Sequence, residues 1–287
     1  MKRQLIICLT TLSTAIFCGC ENNSAFMTPE RLDAGLVVIL PGIEGESGAN
    51  QNVRDGLASA GIDLSLQIWH WGRPVPGVGI FLNQIDFLGN YIAGARVAER
   101  IVKYQDKHPD RPVHIIGHSG GGGIAVFAAD AMPEGRAVTG VILLSASISS
   151  NYDITKALKH CSSGIVNFYN KNDGALLGLA TTVLGNVGGA HGPSAGLLGF
   201  TLPKESASDE KRLAYQKLYQ VPMTDAMVAG STPHFAATQP SFVTSYISPW
   251  VMSSNWPADP GIIAKRARAS GAEVIVFDKT SLSFREP

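Results

Sequence analysis

The body of this 287-residue sequence almost lacks cysteine. Cys8, Cys18 and Cys20 fall within the first twenty residues, and Cys161 stands alone in the remainder, which excludes an internal disulfide framework. A solitary cysteine of that kind reads as a small buried hydrophobe. Net charge is missing too, because Lys plus Arg and Asp plus Glu both total 23. No long-range field therefore favours nucleic acid or an acidic surface, and a small or neutral substrate is the expected partner. Long apolar runs are absent: the longest, Leu5 to Phe17, is too short to span a bilayer comfortably. No internal repeat, metal-ligand cluster, nucleotide loop or redox motif is visible, so no cofactor and no metal site is expected.

What is present suits one large α/β domain with a buried sheet, with 45% hydrophobic and 16% charged residues. The N-terminus reads Met1-Lys2-Arg3, then the apolar stretch, then Cys18-Gly19-Cys20 and polar Glu21-Asn22-Asn23-Ser24, the layout of a secretory signal. Phe17-Cys18-Gly19-Cys20 resembles the bacterial lipoprotein cleavage box, which implies lipidation of Cys20 and membrane attachment through it. Ordinary cleavage nearby without a lipid is the alternative. The expectation is export to the bacterial cell envelope, with residues 1–20 as signal peptide, 21–35 as linker and 36–287 as a single domain.

Leu36 to Leu40 is a continuous apolar run closed by Pro41-Gly42, as a central parallel strand requires. Gln51 to Ala60 suits a helix, Leu64 to His70 a second strand, and Phe87 to Tyr104 a long helix stopping before His108-Pro109. Pro112 to Gly117 and Val138 to Leu144 read as strands around an Ala and Gly helix from Gly120 to Ala131. Ile165 to Tyr169 and Leu213 to Val221 read as the last core strands, Ser241 to Trp250 as a final helix stopped at Pro249, and Glu273 to Phe277 as an edge strand. The alternation predicts an α/β fold with a doubly wound, mostly parallel sheet flanked by helices. The Gly-rich stretch 174–199 is read as packing small residues, a mobile cover or a membrane-facing loop, with packing preferred.

The chemistry concentrates at Gly117-His118-Ser119-Gly120-Gly121, where a short apolar strand runs straight into a Gly-rich turn and an apolar helix. That is the context G-x-S-x-G needs, with small neighbours around a serine held on a sharp turn. A phosphate cradle is disfavoured, because no Gly-Lys-Ser/Thr follows and no acidic ribose partner is in place. From about Leu36 to Trp250 the chain resembles the α/β-hydrolase superfamily of serine hydrolases, esterase- and lipase-like. The resemblance implies that Leu36 to Pro41 is that family's third strand and Val113 to Gly117 its fifth.

It further implies a nucleophile at Ser119, an acid at Asp173 in Asn170-Lys171-Asn172-Asp173-Gly174, and a base at His234 in Thr232-Pro233-His234-Phe235. Asp153 is the alternative acid and His191, between glycines, the alternative base; Asp173 and Asp153 could each instead cap or turn the chain. The family's oxyanion hole maps onto the amides of Gly120 and Ile43, although Pro41-Gly42 departs from the usual His-Gly beginning of that loop. Trp69, Trp71 and Phe81 are candidates for an apolar acyl pocket or for core packing. Glu44 and Glu46 lie close by in sequence without an assigned role, and His118 flanks the nucleophile. The implied activity is hydrolysis of a small-molecule or lipid ester. A peptidase, an acyltransferase and a catalytically silent binding lipoprotein are the alternatives on the same fold.

Overall fold

The computed structural model describes residues 24–72, 86–174, 186–190, 192–204, 206–228, 230–253, 256, 277–278 and 283–284. Residues 1–20 with Cys20, and also Phe81 and His191, lie outside them. Six strands form the main sheet: β1 Leu36–Leu40, β2 Ser65–Ile68, β3 Val113–His118, β4 Val138–Leu144, β5 Cys161–Tyr169 and β6 Leu218–Pro222. Their order is β2-β1-β3-β4-β5-β6 and every pairing is parallel. Parallel strands need both faces covered, which explains the unbroken apolar run of β1. Its side chains alternate, sending Leu36, Val38 and Leu40 into one core and Val37 and Ile39 into the other. Burying each contributes roughly 1.5–3 kcal/mol.

Among the described residues the helices are α1 Pro29–Ala34, α2 Gly48–Ser59, α3 Phe87–Lys107, α4 Gly120–Asp130, α5 Thr155–Lys159, α6 Ala195–Leu198, α7 Asp209–Tyr215 and α8 Asp225–Val228. Residues of α3, α4, α5, α6 and α7 build the first core; residues of α2, α8 and a helical segment from residue 233 to 252 build the second. This is a doubly wound α/β fold. Because all six strands run the same way, the loops after β1, β3, β5 and β6 gather at one edge of the sheet, where such folds present their sites. No described helix is long and apolar enough to cross a membrane. Cys161 is buried and free, and burial pushes its thiol up to about 12.

Four local expectations need correction. Residues 29–34 are not linker but α1, capped by the Thr28 hydroxyl accepting from the Arg31 amide, with Pro29 in its first turn. Arg31 donates to the carbonyls of Ile62 and Leu64, and Tyr104 donates to Leu32, so this helix is docked on the domain. The stretch Leu213 to Val221 divides into the end of α7 and β6; Ser208 caps α7, and Leu213 is 58% exposed, so its place in the strand-like alternation is fortuitous. Pro249 does not end the final helix. A π-turn over Val243–Ile247 intervenes, and Pro249 sits in the first turn of the α-segment Ser248–Met252, where its missing N–H is cheap. Phe277–Asp278 pairs antiparallel with Ser283–Phe284 in a separate ribbon instead of joining the sheet, and residues 273–276 lie outside the described residues.

His114 on β3 is fully buried beside Trp256, and burial pushes it down to about 4; His118 falls to about 3 for the same reason. Between their ordinary value and these depressed ones, the unfolded chain binds protons that the folded chain refuses. Stability should therefore fall as pH drops below about 6.5 and be unaffected by these groups above it, each proton contributing a slope of up to about 1.4 kcal/mol per pH unit. Urea melts between pH 4.5 and 7 are expected to show His114→Leu with a shallower acid slope than the parent. An unchanged slope would contradict this account.

Candidate active site

Ser119 leaves β3 and caps α4 with φ 52° and ψ −120°, a left-handed conformation unusual for a non-glycine residue. Strain of this kind costs on the order of 1–3 kcal/mol and persists only where the surroundings enforce it. Here the Ser119 amide donates to Leu144, and the Ser119 carbonyl accepts from the Ser147 and Gly122 amides at 2.8 and 3.0 Å. The glycines are steric requirements of the same turn. A Cβ on Gly117 would lie 2.4 Å from the Gly121 carbonyl oxygen, and one on Gly121 would lie 2.2 Å from that of Pro41. One on Gly123 would lie 2.1 Å from Val187 Cγ2, so the described part of the Gly-rich stretch packs against α4. The glycine run is a packed element, not a loose loop.

The turn after β5 and the turn after β6 meet beside this elbow. Asp173 is held by its amide donating to the Asn170 carbonyl, while the Asn170 side chain accepts from the Asn172 amide. His234 lies in a 3-10 turn, Pro233–Thr238, with Pro233 in its first position. Its Nδ1 is 2.7 Å from Asp173 Oδ2, and the two residues are 7% and 2% exposed. A carboxylate can only accept, so Nδ1 carries the proton and Nε2 presents its lone pair. His118 Nε2 lies 3.1 Å from the His234 main-chain oxygen, and the two rings are 4.9 Å apart, which brings the histidine turn against the residue preceding Ser119.

Gly120 and Ile43 pack closely against each other. A Cβ built on Gly120 would be 2.6 Å from Ile43 Cγ2, 3.4 Å from the Ile43 nitrogen and 3.3 Å from the Trp71 ring. Trp71 is fixed there by donating to the Pro41 carbonyl at 2.7 Å, whereas Trp69 donates to Gln67 and lies under the Arg100 guanidinium. Of the two described aromatic candidates, Trp71 packs beside Gly120. The alternative acid Asp153 is engaged elsewhere: its carboxylate accepts from the Thr155 amide at the start of α5 and from Lys211 Nζ at 2.8 Å. Glu46 pairs with His70 at the surface. Glu44 points inward, its carboxyl 3.9 Å from His118 Nδ1, and burial raises it above the usual carboxylate range. Among the described residues, no group of three or more His, Cys, Asp or Glu side chains is arranged to hold a metal ion.

No known family model matches the sequence, and no curated protein does. Solved structures similar to it include the NocB thioesterase domain from the nocardicin cluster, at 14% identity and a TM-score of 0.35, over 83% of this chain and 93% of that one. At that score the likeness adds nothing to the parallel sheet already described.

In sequence His118 is marked only by its place next to Ser119. Its contact with the histidine turn joins residues 116 positions apart, and no local pattern announces it.

Proposed function

We propose that the protein is a serine hydrolase of the α/β-hydrolase type that cleaves a carboxylic ester or related acyl bond. The observation that carries this reading is the buried 2.7 Å bond between His234 and Asp173, with His234 packed on His118, the residue that precedes a serine in a strained left-handed turn. Strain and a buried acid–base pair cluster at functional sites because each is costly unless used.

In this reading Ser119 Oγ attacks the acyl carbonyl while His234 Nε2 takes its proton, and Asp173 holds the Nδ1–H tautomer and offsets the charge of the imidazolium. The tetrahedral oxyanion is met by the amides of Gly120, in the first turn of α4, and Ile43. The imidazolium then protonates the departing alcohol oxygen. Water, deprotonated by the same histidine, attacks the acyl-serine, and collapse returns Ser119 and releases the acid. Carboxylic esters are the default substrate, since an alcohol leaving group asks less of the general acid than the amine of a peptide does.

The test is covalent labelling by a fluorophosphonate, with the adduct mapped by mass spectrometry. One adduct on Ser119, absent in Ser119→Ala and strongly slowed in His234→Ala, is the expected result. A folded parent that takes no label would overturn the proposal and favour a catalytically silent binding protein.

A further inference from the structure

His118 is the last residue of β3 and immediately precedes Ser119. Its side chain points to the same face of the sheet as Ile116, towards the second core, where the histidine turn packs. The ring is 2% exposed and lies against two residues of that turn, with centroids 4.9 Å from His234 and 5.3 Å from Phe235. The main-chain oxygen of His234 can only accept a hydrogen bond, so the 3.1 Å contact requires the proton on His118 Nε2. A buried imidazole with a single proton then leaves Nδ1 bare, and that atom has no hydrogen-bond partner. Depression to about 3 agrees with a ring that stays neutral at any working pH. The neutrality is useful, because a second cation 4.9 Å away would oppose formation of the His234 imidazolium.

Apart from the ring's bond to Asp173, the backbone of His234 lies in a short 3-10 turn, whose own hydrogen bonds are of poorer geometry than an α-helix's. One N–H donor on the residue covalently joined to Ser119 gives the turn a direct reference to the nucleophile. We infer that His118 is a positioning residue: its Nε2–H, by holding the His234 carbonyl, sets the place of the His234 imidazole relative to the Ser119 hydroxyl. This rests on the hydrolase reading above and adds a residue that the serine, histidine, acid and oxyanion-hole scheme does not contain.

Two variants separate the donor from simple filling of space. Gln has the same bond count from Cβ to its amide nitrogen as His to Nε2, so His118→Gln keeps the donor; the shorter Asn in His118→Asn cannot reach. Hydrolysis of a short p-nitrophenyl ester is expected to lose about tenfold to hundredfold in kcat in His118→Asn with KM nearly unchanged, because a misplacement of about 1 Å suffices for such a loss. His118→Gln should recover most of that loss while melting at a temperature close to that of His118→Asn. Equal kcat for the two variants, or a loss confined to KM or melting temperature, would overturn the inference.

A measurement independent of turnover keeps the two proposals apart. The downfield Nδ1–H resonance of His234, read by NMR without substrate, is expected to move or broaden in His118→Asn and return in His118→Gln. An unmoved resonance would refute the positioning role even in an active enzyme. A parent that neither labels nor hydrolyses, yet shows that shift, would count against the hydrolase reading while supporting the tether.

Discussion

On the proposed hydrolase reading, ester turnover by Asp173→Asn is expected to fall by roughly 10⁴-fold, and by Ser119→Ala by on the order of 10⁵- to 10⁶-fold, with the fold retained in both. The Asp173 carboxylate is buried and accepts from His234 Nδ1 at 2.7 Å. An amide in its place can turn its NH2 towards that nitrogen, which favours the tautomer that puts the proton on Nε2. The base then has no lone pair for the serine proton, and the imidazolium loses its counter-charge. In the proposed triad the three residues act as a unit, so the double variant Ser119→Ala/Asp173→Asn should be no slower than Ser119→Ala alone. Steady-state kcat measurements on the three variants decide this, with Asp153→Asn as a matched control. The Asp153 carboxylate is committed to Thr155 and Lys211, so removing its charge should leave turnover unchanged. Retention of near-parental activity by Asp173→Asn would return the question of the acid to Asp153.

Gly121→Ala is expected to cost on the order of 4 kcal/mol or more, enough to leave little folded protein when domains are stable by about 5–15 kcal/mol. The added Cβ would lie 2.2 Å from the Pro41 oxygen and 2.3 Å from the Leu40 oxygen. Both are backbone atoms at the end of β1, so relief requires moving a central strand or the loop that carries Ile43. Gly48→Ala supplies the contrast. A Cβ there meets nothing within 4 Å and the residue opens helix α2, so the change should be neutral or slightly stabilising. Urea unfolding of both variants checks the pair; similar midpoints would show that the elbow tolerates a methyl group and that its steric account is wrong.

The elbow was readable from sequence because its constraints are local. Strand, serine and glycines are contiguous from Val113 to Gly123, and the glycines exclude side chains from a turn made by those same residues and the end of β1. β1 and β4 were equally plain, since a strand buried on both faces must be apolar at successive positions. α7 was missed because Leu213, Tyr215 and Tyr219 alternate like a strand, although Ser208 followed by Asp209 and Glu210 is a helix start. The last helix was cut short because a proline rule that holds for an α-helix does not hold after a π-turn.

Sequence alone determined the parallel α/β class and the sharp turn at Ser119, and it singled out Asp173 and His234 as candidates. Each of these depends on short-range pattern or chain order, and the expectation of export rests wholly on residues 1–20. Only the tertiary structure decided that the His234 ring meets Asp173, 61 positions away, and that Asp153 serves a helix start instead. It also decided that Trp71 packs beside Gly120 while Trp69 bonds Gln67, and that His118 reaches the histidine turn. Such pairings are set by which loops the sheet order brings to one edge, and that order is fixed by the packing of two cores over the whole chain.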